Sequence, residues 1–407
     1  MSGALSHLRV LDLSRVLAGP WCGQSLADLG ADVIKIERPG MGDESRTWGP
    51  PWVKDGNGED TGDSTYYTST NRNKRSMTID ISKPAGQALI RELATQVDVL
   101  IENYKVGDLK RYGLGYEDLS VINPRLVYCS VTGFGQTGPS AQRPGYDFIF
   151  QGEGGLMSIT GERDDLPGGG PAKVGIAVTD ILTGLNAATA ILAAVEHRHI
   201  SGRGQYIDMA LMDVIVAFGA NQIAGYFGTG QLPRRYGNAH PNLAPYGVFR
   251  TGDGHIIVAC GNQGQWERFC QTLGKPEWPL DARFRDMPSR NARRPALTEE
   301  IEQILRTKPS AHWLEQLTGA DVPNGPINNY KQVFEHPQVV HRKLKVGLPH
   351  ARGGTTSVVA SPLRLSDTPV EYRRAPPVLG QHTDEILEEV LGKSATEIEN
   401  LKREGIV

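Results

Sequence analysis

Cysteine is scarce. Cys22, Cys129, Cys260 and Cys270 are the four in 407 residues, and none stands at a metal-ligand spacing, so neither a zinc site nor a disulfide framework organises this chain and a reducing compartment is expected. An excess of charge of one sign is missing too. Lys and Arg number 43 against 46 Asp and Glu, a net −3, which leaves no broad field to draw nucleic acid or an anionic membrane surface; any anion site must be local. No apolar run reaches the roughly 18 residues of a membrane span. The most apolar stretch, residues 207–218, is broken by Asp208 and Asp213, so a membrane-spanning protein is excluded on this reading. The first seven residues carry neither the apolar core of a signal peptide nor an Arg-rich amphipathic pattern. The expected compartment is the cytoplasm, with the mitochondrial matrix as the alternative if a transit peptide has been removed.

Chemical signatures are absent as well. No two histidines stand at i and i+4 beside an acid, His197 and His199 fall on opposite helix faces, and no G-x-S-x-G elbow occurs. Metallohydrolase and serine hydrolase chemistry fall away, and no metal ligand is assigned.

What is present is an alternation of strand-like and helix-like text. Residues 8–13 read as a strand, 20–29 as a helix with Pro20 near its first turn and Gly30 past its end, and 31–37 as another strand. The pattern repeats: strand 77–81, a helix opened by Pro84 and running to about 96, strands 97–103 and 126–132. Such alternation predicts a parallel sheet. Residues 161–172, with Gly168, Gly169 and Gly170 beside Pro167, read as a loop. An apolar helix over 181–197 follows. A long helical stretch from 209 to about 228 marks a boundary, after which 246–250 and 255–260 flank the hairpin signal Thr251-Gly252-Asp253-Gly254. Charged helices fill 263–317, strand-like and Pro-rich text returns after 322, and helices close the chain at 383–391 and 395–403. The domains expected are 1–205, a linker helix 206–228, a small domain 229–325, and a segment 326–407 returning to the first.

The first strand-to-helix turn, Ser14-Arg15-Val16-Leu17-Ala18-Gly19-Pro20, lies where a dinucleotide-binding protein carries its glycine fingerprint, and it carries none. A nicotinamide oxidoreductase is therefore disfavoured, while the crevice at the strand C-termini remains a natural ligand site. Basic residues recur near that edge: Arg15, Arg38, Arg72, Lys74, Arg75, Lys105, Lys110 and Arg111. They are expected to neutralise phosphates there, the alternative being solvated surface charge. Trp48 and Tyr104 are stacking candidates or simply core. Asp180, just before the apolar helix, is either a plain N-cap or a nucleophile kept ionised by backbone N–H groups and the helix dipole. Asp147 and Glu153 read as turn carboxylates, and His240 as an acid, a ligand or a loop cap.

Taken together, Leu11-Asp12-Leu13-Ser14-Arg15-Val16-Leu17-Ala18-Gly19-Pro20 and Leu29-Gly30-Ala31-Asp32-Val33-Ile34-Lys35-Ile36-Glu37-Arg38-Pro39 resemble the opening of family III CoA-transferases, the formyl-CoA and carnitine CoA-transferase family. The likeness continues through Asn71-Arg72-Asn73-Lys74-Arg75-Ser76, Glu102-Asn103-Tyr104, Gly133-Phe134-Gly135, Gly145-Tyr146-Asp147, Thr179-Asp180 and Leu379-Gly380-Gln381-His382-Thr383, covering essentially the whole chain. The resemblance implies an α/β fold: a Rossmann-like large CoA-binding domain with a parallel sheet, plus a smaller α+β domain, in an interlocked homodimer. It implies Asp180 as nucleophile, CoA contacts at Arg15, Val16, Ala18, Arg38, Asn103, Tyr104 and Arg111, and the stretch from Ile79 to Ser82 near the nucleotide. It makes Gly261-Asn262-Gln263-Gly264 the matching glycine-rich cover. CoA thioesters are then substrates, with no resident cofactor. Arg143, Tyr146, Asp147, His240, Gly261 and Gly264 are the candidates for substrate and oxyanion contacts, with Arg15, Arg143 and His240 for a distal carboxylate.

Two departures bear on specificity. Leu17 replaces a glutamine of the formyl-CoA enzyme, which argues against oxalate. Tyr146 stands where related α-methylacyl-CoA racemases place a catalytic histidine, so racemisation is the second reading and a CoA-binding protein without turnover the third. Arg46-Thr47-Trp48-Gly49-Pro50-Pro51, Tyr112-Gly113-Leu114-Gly115-Tyr116, Gly325-Pro326-Ile327-Asn328-Asn329 and His336-Pro337-Gln338-Val339 resemble the branch that takes succinyl-CoA as donor and glutarate or hydroxymethylglutarate as acceptor.

Overall fold

A computed structural model describes residues 3–407. The strands in chain order are β1 (Arg9–Asp12), β2 (Asp32–Glu37), β3 (Trp52–Lys54), β4 (Asp60–Ser64), β5 (Lys74–Thr78), β6 (Val99–Glu102), β7 (Val127–Thr132), β8 (Tyr206–Ala210), β9 (Tyr246–Arg250), β10 (His255–Ala259), β11 (Asn324–Pro326), β12 (Lys345–Pro349) and β13 (Thr355–Val359). Six of them form one sheet in the order β5-β2-β1-β6-β7-β8, every neighbouring pair parallel.

Strands of such a sheet are covered on both faces and read as near-continuous apolar runs. Val10, Val33, Val99, Ile101, Val127 and Cys129 enter one buried cluster, with Cys22 and Leu26 of helix Ala18–Asp28 and Ala187, Ile191 and Val195 of helix Val178–Ser201. Leu11, Ile34, Ile36, Leu100 and Tyr128 enter the other, with Leu89, Ile90 and Leu93 of helix Pro84–Ala94 and Ile386 and Leu387 of helix Thr383–Glu389. From β1 the chain builds outward to β2 and β5, then crosses back to β6, β7 and β8. The strand order thus reverses between β1 and β6, and the crevice at that switch point is where such sheets take their ligands.

Several expectations shift. The stretch read as helical from 209, and the linker helix expected over 206–228, begin instead with the edge strand β8; Gly202 caps the preceding helix in a left-handed conformation, and Tyr206–Ala210 pairs with β7 before a helix starts at Leu211. The strand expected at 77–81 lies at Lys74–Thr78, because its charged residues are buried in ion pairs rather than solvated. Residues 52–64 hold the β3–β4 hairpin. The most apolar long segment is helix Val178–Ser201, which by length and composition alone could cross a membrane. Its Ala187, Ile191, Ala194 and Val195 are instead buried in the protein's own core.

The chain divides into two compact units, one running through Leu156, Val174–Ala224 and Val340–Val407, the other Met157–Lys173 with Gly225–Val339. These bounds differ from those expected: residues 157–173 and 326–339 belong with the second unit. Residues 1 and 2, with which the expected first domain starts, lie outside the described residues. The second unit carries the antiparallel sheet β11-β10-β9 and a core of Trp266, Phe269, Trp278, Phe284, Leu297, Ile301 and Trp313.

Candidate functional site

The site in the first unit is built on the turn that follows β1. Val16 there has φ of 70°, a left-handed conformation that a β-branched residue avoids unless its surroundings impose it. The surroundings do. Both carboxylate oxygens of Asp43 accept from the Val16 N–H at 3.2 Å. The Asn103 amide brackets Arg15, accepting from its N–H and donating to its C=O, each at 2.8 Å. Buried Lys35 donates to the Ser14 carbonyl at 2.8 Å and pairs with Asp43 at 2.9 Å. Burial raises the Asp43 carboxyl, but Lys35 and the Ser45 donors more than offset this and hold it below the usual carboxylate range. Lys74 pairs with Asp12 at the end of β1, both fully buried.

Asp180 enters the same cavity from the first turn of helix Val178–Ser201. It is not the N-cap, which is Ala177 with no side-chain cap bond. Gly184 lets that helix close on helix Ala18–Asp28, since a Cβ there would lie 2.6 Å from the Ala18 carbonyl oxygen. The turn before Asp180 is held by Asp147, which accepts from the Thr179 N–H at 2.7 Å and from the Gln151 amide at 2.6 Å. Gln151, fully buried, also accepts from the Val174 N–H at 2.8 Å. Backbone donors and the helix dipole were expected to favour ionised Asp180; its surroundings push the other way. Burial first, then the charge of Asp147, push its carboxyl up to about 7.

A cavity of about 220 Å³ brings together Arg15, Val16, Ala18, Asn103, Tyr104, Arg143, Tyr146 and Asp180. The Arg15 guanidinium lies 4.9 Å from the Tyr104 ring centroid and pairs with Glu44 at 2.7 Å. Tyr104 in turn donates its N–H to Glu102 at 2.7 Å, a buried carboxyl that burial raises to about 7. The side chain of Asn103 is spent on Arg15, so its part is to fix the turn.

Other expected residues lie elsewhere. Arg38 is exposed just beyond β2 and its charge helps lower the Asp80 carboxyl, after the Ser82 hydrogen bond that dominates. Ile79 is core, so its side chain is unavailable to a ligand, and the Ser82 hydroxyl donates to Asp80 at 2.6 Å. Arg111 is exposed and pairs with Asp108. Arg72, Lys74 and Arg75, expected to meet phosphates, are buried against Asp28, Asp12 and Asp32, which consumes their charge. Asp147 acts behind Asp180 and does not line the cavity. In the second unit, Nδ1 of His240 accepts from the N–H groups of Asn242 and Leu243, the loop-cap alternative. Gly261 and Gly264 do not form a free loop: Asn262 between them caps helix Gln263–Thr272, whose second residue is Gly264. A larger cavity of about 1170 Å³ in that unit is lined by three ion pairs, Arg163 with Asp165, Arg235 with Asp164 and Arg306 with Glu302, and by Arg234 and Arg294, the latter donating Nη2 to the Pro241 carbonyl and to Asn291.

Sequence reasoning missed Lys35, Asp43, Glu102 and Gln151 as builders of the site. Lys35 had a signal, a lone cation between the apolar Ile34 and Ile36 in the middle of a strand; Gln151 had none.

The family profile described as CoA-transferase family III matches residues 5–383. The chain is 48% identical over 391 residues to the succinate–glutarate CoA-transferase of Agrobacterium fabrum, covering 95% of each chain. It is 42% identical over 403 residues to the succinyl-CoA:glutarate CoA-transferase of Homo sapiens, covering 99% of this chain and 90% of that one. Among solved structures, a CAIB/BAIF family protein from Brucella suis matches with a TM-score of 0.85 at 45% identity, over 96% of this chain and 100% of that one.

Proposed function

This chain belongs to CoA-transferase family III, and from that membership we propose that it moves CoA from succinyl-CoA to glutarate through covalent intermediates on Asp180. The observation that carries the reading is the half-buried Asp180 carboxyl sharing one cavity with the turns after β1 and β6. A carboxylate with a raised pKa is poorly solvated, and once ionised it is a better nucleophile than one in water.

In the proposed cycle the Asp180 carboxylate attacks the succinyl thioester carbonyl, the C–S bond breaks, and CoA thiolate leaves a mixed succinyl-aspartyl anhydride. The thiolate returns to the aspartyl carbonyl, expelling succinate and forming an aspartyl-CoA thioester. Glutarate attacks that thioester and again releases thiolate, giving a glutaryl-aspartyl anhydride. Thiolate attack at the glutaryl carbonyl then yields glutaryl-CoA and restores Asp180. No net proton is gained or lost, and thioester energy is retained throughout. Arg15 and the turn locked by Asn103 and Asp43 would hold CoA at the switch point, its phosphates meeting the guanidinium.

A homodimer is part of this reading. It is supported by apolar side chains that stand exposed near the cavity, Tyr146, Phe148 and Ile149 at 69%, 56% and 45%, which a lone soluble chain does not gain by displaying. The test is to incubate the protein with succinyl-CoA, trap with hydroxylamine or borohydride, and locate the modification by mass spectrometry. Modification at Asp180 supports the covalent route. An untouched Asp180 with deuterium exchange at the α-carbon of a branched acyl-CoA would replace it with racemisation.

A further inference from the structure

Three cations line the Asp180 cavity: Arg15, Lys105 and Arg143. The first two leave the sheet on the turns after β1 and β6, and Arg15 is fixed there by its backbone bonds to Asn103 and its ring contact with Tyr104. Arg143 differs. It sits four residues before Asp147, whose carboxylate is bonded to the Thr179 N–H next to Asp180, so its segment is tethered to the nucleophile's own turn. Its guanidinium lies 4.5 Å from the Phe134 ring centroid. It faces Glu153 end-on, Nη2 to Oε1 at 2.5 Å and Nη1 to Oε2 at 3.2 Å. Both partners are solvent-accessible, at 50% and 39% of their side-chain surface. An exposed ion pair contributes little and is easily exchanged, while the ring contact keeps the guanidinium plane oriented when its partner leaves.

We propose that Arg143 is the specificity-determining residue that receives the distal carboxylate of a dicarboxylate substrate, and that Glu153 is the internal carboxylate it releases to do so. The inference rests on the reading that donor and acceptor are dicarboxylates. A guanidinium fork recognises a carboxylate in the same two-point geometry that Glu153 supplies, so Glu153 presents to Arg143 the group that a dicarboxylate substrate would. An arginine on an exposed segment can also follow a chain one methylene longer, which fits succinyl and glutaryl groups being handled at one site.

The test compares glutarate with butyrate as acceptors, using succinyl-CoA as donor, in the wild type and in the Arg143→Gln, Arg143→Lys and Glu153→Gln variants, with free-CoA affinity measured separately. The readout is kcat/KM for each acceptor, which in this two-step exchange reports the acceptor half-reaction apart from the donor half-reaction that Arg143 also serves. Arg143→Gln should lower kcat/KM for glutarate by tenfold or more, leave kcat/KM for butyrate and CoA affinity unchanged, and be partly rescued in Arg143→Lys. Glu153→Gln should lower KM for glutarate severalfold at constant kcat, because the competing carboxylate is gone. Equal effects on glutarate and butyrate, weakened CoA binding, or a raised KM in Glu153→Gln would overturn the proposal. If the wild type prefers another dicarboxylate, the glutarate reading fails while the same variants judge Arg143 on that acid. If it prefers monocarboxylates, both fail.

Discussion

The two units stabilise themselves by opposite means. Beneath its sheet edge the first buries charge: Asp12, Lys35, Glu37, Asp43, Arg46 and Lys74 are all at most 5% and 6% exposed by residue and side chain respectively. Lys35 joins Asp43, Lys74 joins Asp12, and Arg46 joins both Glu37 and Asp63. The second buries rings, with Trp266 stacked on Trp278 at 6.1 Å and Phe284 edge-on to the latter. Its buried arginine, Arg290, finds the carbonyls of Ala244 and Phe284 instead of a carboxylate. Buried ion pairs are costly to desolvate and add little net stability, but their geometry is directional, and rings filling space are not. The first unit uses that direction to tie β1, β2 and β5 to the turn that shapes the cavity. Directional contacts are concentrated around the Asp180 cavity, and ring packing in the second unit.

Several substitutions would break or sharpen this contrast. The largest effect is expected at Asp180. Asp180→Asn should lower CoA exchange by on the order of 10³-fold or more, since the nucleophile is gone. It should not lower the Tm at pH 8: a carboxyl whose pKa is raised to about 7 is destabilising once ionised, so a neutral amide removes a cost. Next come two core variants. Lys74→Met strands the buried Asp12 and should cost about 3–5 kcal/mol by chemical denaturation at pH 7.5. Trp266→Ala should cost a similar ~3–5 kcal/mol. They part company in acid. Burial raises Asp12, but Lys74 and Lys35 outweigh it and hold it below its usual range, so its stabilisation is lost as pH falls through the folded pKa. A stranded Asp12 without Lys74 protonates at higher pH, and the penalty of Lys74→Met should therefore shrink toward pH 4 while that of Trp266→Ala stays. Equal pH responses would erase the distinction between the units. The smallest effect is a shift. Asp147→Asn keeps an oxygen for the Thr179 N–H and removes the like charge beside Asp180, but sets its own amide N–H groups against the Gln151 amide that Asp147 accepts from. The acidic limb of the pH–rate profile, expected near 7 in the wild type from the raised Asp180 carboxyl, should move to lower pH, and the plateau should fall modestly because the Gln151 contact is lost. A limb that stays put would mean burial alone sets it.

Much of the first unit's fold was legible. Strands covered on both faces leave apolar runs that survive in the sequence, and Pro84 and Gly30 punctuate the helices beside them. What failed has a common cause. Residues 207–218 are mostly apolar, with Asp208 and Asp213 alone interrupting them, and periodicity cannot divide the stretch into the strand Tyr206–Ala210 and the helix Leu211–Phe218. Arg72, Lys74 and Arg75 were read as a phosphate edge because their partners, Asp28, Asp12 and Asp32, lie more than 40 residues away. A cation near a strand looks the same whether it meets water or a buried acid. The site divides likewise: Asp180, Arg15 and Tyr104 were named from motif text, whereas the clamp of Asp147 and Gln151 and the lock of Asp43 on Val16 arise only when distant segments meet.

By itself the sequence determined the alternation of strands and helices, the family likeness and the identity of the candidate nucleophile, because local hydrophobic pattern and motif text need no partner to be read. Only the tertiary structure decided how Asp180 ionises, which cations remain available to a ligand and which are consumed in the core. Desolvation and Coulomb interaction depend on distances through space, and those are fixed by packing.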